Sequence, residues 1–125
     1  MKVRDIMRPV FTIDSKSSVA DAATLMSKNH THSVVVVSNN KIVGILTEDD
    51  VFDNLDSLDE KVVDVMIKEV KTISDGEELS EAAEIMNREG VKKLPVLKGE
   101  KLVGMITATD LIAHAGELSE IFLFD

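Results

Sequence analysis

Gly44-Ile45-Leu46-Thr47-Glu48-Asp49-Asp50-Val51 and, sixty positions on, Gly104-Met105-Ile106-Thr107-Ala108-Thr109-Asp110-Leu111 are two versions of one segment, and they decide how the chain folds. Working outward, Val19-Ala20-Asp21-Ala22-Ala23-Thr24-Leu25-Met26 returns at the same spacing as Leu79-Ser80-Glu81-Ala82-Ala83-Glu84-Ile85-Met86. Laying residues 12–52 on 72–112 without a gap gives 11 identities in 41 positions, against about 2 or 3 from ordinary residue frequencies. The chain is an internal repeat, so function is expected at paired, equivalent positions. The repeat opens earlier still once a slip of one residue is allowed, because Val3, Asp5 and Met7 fall on Val62, Asp64 and Met66.

The 125 residues divide at this repeat into units 1–59 and 60–125. A unit of that size buries only about 60% of its unfolded surface and is marginal alone, so the two are expected to share one core. With 44% apolar residues and few Gly or Pro, the chain reads as a soluble globular protein. It has no Cys, which excludes a disulfide framework and thiol catalysis. The start lacks an apolar run of signal-peptide length, and no stretch approaches the roughly 18 apolar residues of a membrane helix. A cytoplasmic location is expected. A net charge of −9 repels nucleic acid and anionic membranes. With 3% aromatic residues, all of them Phe, stacking platforms for bases are absent too.

Within one unit, Phe11-Thr12-Ile13 predicts a short extended piece and Ser17-Ser18 offers a helix cap. Val19, Ala22, Ala23 and Met26 then fall on one helical stripe, as do Leu79, Ala82, Ala83 and Met86. The alanines flatten that face for close approach to a sheet, and the methionines read as core. Val34 to Val37 and Ile42 to Leu46, around Ser38-Asn39-Asn40-Lys41, predict a hairpin covered on both faces. Leu94 to Leu97 and Leu102 to Ile106 repeat it. A second helix is expected after Thr47 and Thr107, carrying Val51, Phe52 and Leu55 in one copy and Leu111, Ile112 and Ala115 in the other. Each unit is β-α-β-β-α, and the charged stretch from Asp53 to Lys61 connects them. The apolar Ile121-Phe122-Leu123-Phe124 predicts burial against the chain's own core or another subunit.

Thr47-x-x-Asp50 and Thr107-x-x-Asp110 admit two readings. A Thr N-cap with an acid at the third helical position is a sound helix start. The same strand-to-helix junction also offers free N–H groups to a phosphate.

Two tandem units, each ending in Gly-apolar-apolar-Thr with Asp three residues on, resemble the cystathionine β-synthase (CBS) domain pair, from Val3 to about Ala115. The resemblance implies an α/β (α+β type) fold in which two β-α-β-β-α units pack through their sheets with pseudo-twofold symmetry. It implies clefts that hold adenosine-containing ligands and no enzyme activity. By the resemblance Asp50 and Asp110 accept from ribose hydroxyls, Thr47 and Thr107 lie near phosphate or ribose, and Thr12 and Thr72 join the sites. Gly90-Val91-Lys92-Lys93-Leu94-Pro95-Val96 is similar to the family stretch lining the adenine side, which places Val91, Lys92, Lys93, Leu94 and Pro95 in the second site. The corresponding His30-Thr31-His32-Ser33-Val34-Val35-Val36 lacks both Gly and Pro, and Asp49 and Thr109 stand where many members carry Arg.

Glu48-Asp49-Asp50 opposes a polyphosphate, so monophosphates and uncharged or cationic adenosine derivatives are expected ahead of ATP. Lys92, Lys93, Arg4, Arg8 and Lys68 are candidates to offset that repulsion. His30 and His32 alternate on an extended segment and point to opposite faces unless the backbone bends, which argues against a shared metal. No nucleophile elbow, catalytic triad order or glycine-rich phosphate loop occurs. The expected function is a regulatory module sensing an AMP-like or S-adenosylmethionine-like metabolite, needing no cofactor or metal, assembled as a homodimer and passing occupancy to a protein partner. The alternative is a ligand-free dimerisation or protein-interaction scaffold.

Overall fold

The computed structural model describes residues 1–116 and residue 118; the Ile121 to Phe124 segment lies outside them. The fold is mixed, with two three-stranded sheets and short helices around them. In chain order the elements are α1 (Val3–Ile6), β1 (Thr12–Asp14), α2 (Val19–Asn29), β2 (Ser33–Ser38), β3 (Lys41–Thr47) and α3 (Glu48–Phe52). The second set is α4 (Val62–Val65), β4 (Ile73–Ser74), α5 (Leu79–Glu89), β5 (Lys93–Lys98), β6 (Lys101–Thr107) and α6 (Ala108–Ala113). In each sheet the central strand pairs parallel to the first and antiparallel to the third.

The compact units are not the sequence repeats. One is continuous, Phe11–Val70, while the other joins Met1–Val10 to the chain from Lys71 onward. Each repeat's leading segment therefore packs with the body of the other repeat. Val3 of α1 is fully buried with Ile73, Leu79, Leu94 and Ile106, and Val62 of α4 is fully buried with Ala22, Val34 and Leu46. Each unit thus has a cluster of buried side chains closed by a borrowed valine.

Two glycines make this possible. A Cβ on Gly104 would lie 2.9 Å from Met7 Cγ and 3.1 Å from the Arg8 carbonyl oxygen. On Gly44 it would lie 2.7 Å from Met66 Cγ and 2.9 Å from the Ile67 carbonyl oxygen. Only a residue without a side chain lets the leader approach the strand so closely. The leader then bonds to it on both sides, Arg8 with Met105 (2.8 and 3.0 Å) and Ile67 with Ile45 (2.9 and 3.0 Å). The hairpins also share an irregularity beside these glycines. Pairing steps from Val36–Gly44 to Val37–Ile42 and from Val96–Gly104 to Leu97–Leu102, leaving Val43 and Val103 as bulged residues.

Local chemistry explains the remaining differences between the sheets. Asn39 and Asn40 both take positive φ (52° and 63°), the conformation of a two-residue hairpin turn, and Gly99 (64°) serves the other hairpin. In β2 the Val35 N–H donates to the Phe11 carbonyl at 2.9 Å. Pro95, its counterpart, has no N–H to give, and β4 is accordingly one residue shorter than β1. The helix after Thr47 is shorter than expected: α3 stops at Phe52, so Leu55 falls beyond it, whereas α6 stops at Ala113 and Ala115 is again helical after a turn at His114. Asp53, the C-cap of α3, opens the charged connector, which supplies no apolar stripe to extend it.

Candidate functional site

The two Thr–Asp pairs form reciprocal capping boxes. Asp50 Oδ2 accepts from the Thr47 N–H at 2.8 Å and from its hydroxyl at 3.0 Å, while the Asp50 N–H donates to Thr47 Oγ1 at 3.4 Å. Thr107 and Asp110 repeat this at 3.0, 3.0 and 3.2 Å. Capping therefore accounts for one oxygen of each carboxylate. The other oxygen differs. Asp110, only 5% exposed, receives Arg8 Nε on Oδ1 at 2.5 Å, and that arginine side chain is 68% exposed. The register puts Ile67 where Arg8 stands, so Asp50 has no equivalent cation delivered by its leader.

Strand order gathers the candidates of each repeat at one end of its sheet. Thr47 ends β3 opposite Ser33, where β2 begins, and Thr12 opens β1 beside Val35. In the second repeat Lys93 faces Thr107, the Lys92 carbonyl accepts from the Ala108 N–H at 2.8 Å, and Thr72 just precedes β4. The Gly90-Val91-Lys92-Lys93-Leu94-Pro95 stretch is first a helix stop. Gly90 caps α5 in the left-handed conformation (φ 66°), and the Val91 N–H donates back to the Met86 carbonyl at 3.1 Å. Lys92 is exposed and Lys93 and Val91 are half-buried. Leu94 and Pro95 are fully buried, with Leu94 in the core cluster, so their side chains serve packing first. Thr72 is half-buried and Thr12 exposed.

Of the cations considered, the structure brings Arg8 to a site carboxylate. The backbone does bend at His30, which caps α2 in the left-handed region (φ 51°). As a result His30 and His32 line one concavity of about 640 Å³ with Met26, Glu48, Asp49 and Phe52, rather than facing apart. His32 Nδ1 meets Glu48 Oε1 there, a side-chain contact that residue spacing alone did not signal. This concavity does not include Asp50, and it lies on the helical side of the unit. Among the described residues no group of three or more His, Asp or Glu side chains is arranged to hold a metal ion, and no helix is long and apolar enough to cross a membrane.

The family model described as "CBS domain" matches residues 3–57 and 62–117. The chain is similar to the uncharacterized protein MJ1232 of Methanocaldococcus jannaschii, at 34% identity over 90% of this chain and 38% of that protein. It is also similar to inosine-5′-monophosphate dehydrogenase of Thermoplasma acidophilum, at 35% identity over 87% of this chain and 22% of the enzyme. The chain thus spans well under half the length of these curated relatives. Among solved structures, the CBS domain pair of protein MJ0100, in complex with 5′-methylthioadenosine and S-adenosyl-L-methionine, superposes with a TM-score of 0.83 at 26% identity, covering 94% of this chain and 97% of that one.

Proposed function

The chain belongs to the CBS domain family, and from that premise we propose that it is a regulatory, non-catalytic module that binds an adenosine-containing metabolite and passes its occupancy to a protein partner. The observation that carries this reading is the state of Asp110. A carboxylate that is 5% exposed has one oxygen fixed by Thr107 and the other held by a side chain that is 68% exposed and can leave. Such an acceptor suits a ribose diol, which offers two hydroxyl donors to one charged group. The similarity to a pair solved with 5′-methylthioadenosine and S-adenosyl-L-methionine supports the adenosine class. Thr72, Val91, Lys92, Lys93 and Thr107 surround that acceptor in the reading, with Thr12, Thr47 and Asp50 as the weaker first site.

Calorimetric titration of wild type and Asp110→Asn with AMP and with S-adenosylmethionine tests it. Hydrogen bonds to a charged group are worth about 1.5–3 kcal/mol each, so the variant should bind roughly tenfold to several hundredfold more weakly. Unchanged affinity beside a lowered melting temperature would leave Asp110 as a helix cap alone.

The same reading includes a homodimer. Phe52 is 72% exposed, Leu55 56% and Ile112 73%, apolar surface of the kind that self-association on a twofold axis buries. Leu111, grouped with them from the sequence, is instead a core residue, 5% exposed. Sedimentation at micromolar concentration should show twice the 13.7 kDa chain mass, and a monomer there overturns the dimer.

A further inference from the structure

We propose that Arg8 is the specificity-determining residue of the second-repeat site, exchanging its bond to Asp110 for an anionic group on the ligand, so that this site selects phosphorylated adenosine over its neutral forms. The inference rests on the adenosine-sensing reading above and adds to it what the site demands beyond the nucleoside. Asp110 Oδ2 is committed to Thr107, leaving Oδ1 as the free acceptor, and Arg8 Nε occupies it at 2.5 Å. Two ribose hydroxyls bonding to Oδ1 fill both of its acceptor sites and therefore displace the guanidinium. Arg8 is anchored through its backbone to Met105 on both sides, so the displaced side chain stays at the site and needs a new anionic partner. A 5′-phosphate supplies one, and a guanidinium fork matches phosphate geometry. A neutral nucleoside supplies none, and its binding carries the full loss of the Arg8–Asp110 pair.

The surroundings agree in sign. Lys92 and Lys93 precede and open β5 at this end of the sheet, and Ala108 and Thr109 are uncharged. The first repeat has Ile67, His32 and Ser33 at the corresponding places, with Glu48 and Asp49 after its Thr, so it lacks both the cation and the attraction.

Titration calorimetry of the full chain with AMP and with adenosine, on wild type and Arg8→Gln, tests the role. Wild type should favour AMP at one class of site by roughly tenfold or more, the scale of a charge-assisted hydrogen bond. In Arg8→Gln that preference should collapse to within a few-fold through weaker AMP binding, while adenosine binds as well or better because Asp110 Oδ1 is released. The first-repeat site, far from the substitution in sequence and lacking Arg8, serves as internal control. A preference for AMP that survives in Arg8→Gln overturns the proposal, as does an equal weakening of both ligands, which would make Arg8 a prop for the fold. If neither ligand binds wild type, this inference falls, and if S-adenosylmethionine fails as well, the adenosine-sensing reading falls with it.

Discussion

The continuous unit and the split unit are built on one template and finished differently. Their Thr–Asp boxes agree to within 0.2 Å in every bond, their bulges fall at matching residues, and a strand glycine admits a leader in each. Around the box they diverge. The split unit presents Arg8, Lys92, Lys93, Gly90 and Pro95 where the continuous unit presents Ile67, His32, Ser33, His30 and Val35. Positions facing the core have kept their chemistry because packing density leaves little choice there. Positions at the sheet end differ in charge, and it is there that the two halves part most clearly.

The glycine contacts offer the largest test of that symmetry. Overpacking costs about 1–3 kcal/mol, and the tighter fit at Gly44, with a backbone oxygen 2.9 Å from the added carbon against 3.1 Å at Gly104, places Gly44→Ala near the top of that range and Gly104→Ala near the bottom. Urea denaturation of both variants measures the difference. A Gly104→Ala variant the less stable of the two would show that the leaders are not held equivalently.

A smaller effect separates the helix ends. His30 holds a left-handed conformation at φ 51° where Gly90 holds φ 66°, and nothing lies within 4 Å of a carbon added to Gly90. The left-handed conformation costs an L side chain about 1 kcal/mol or somewhat more. His30→Gly should therefore raise the melting temperature and Gly90→Ala lower it, each by an amount corresponding to about 1 kcal/mol. Equal and negligible shifts would mean that the His30 side chain makes up its strain elsewhere.

Smallest of all is the His32–Glu48 pair, which has no counterpart in the split unit because Ala108 replaces the acid. With side chains 77% and 55% exposed, it should contribute less than about 1 kcal/mol. His32→Ala should thus move the denaturation midpoint slightly at low salt and not at all near 1 M salt, where screening acts over about 3 Å. A larger or salt-insensitive loss would point to packing in the adjacent concavity instead.

Much of this was legible in the sequence because the repeat reports it twice. The Thr caps, the α2 and α5 stripes and both hairpins are local features, set by residue spacing within a dozen positions, and they formed where expected. The leader exchange was not legible: the one-residue slip aligned Val3 with Val62 but carried no sign of which body each would join. The Arg8–Asp110 bond, 102 residues apart in sequence, follows from that exchange and was equally hidden. Burial of Leu111 was missed, because an apolar residue on a short helix looks the same in the sequence whether it faces the surface or the core. The bend at His30 reflects a left-handed cap on a residue type that seldom takes one.

The borrowed leaders also set an order on synthesis. As the chain emerges from a ribosome, the continuous unit has all its residues once Val70 is out, and its core can close around Val62. Residues 1–10, made before the continuous unit, belong to a core whose strands β5 and β6 follow it. Val3 and Met7 must wait through the making of the continuous unit and then of β5 and β6, and the loop they finally close is long and entropically costly. Residues 1–10 are thus buried after residues made later than they are, and the split unit is the one finished late.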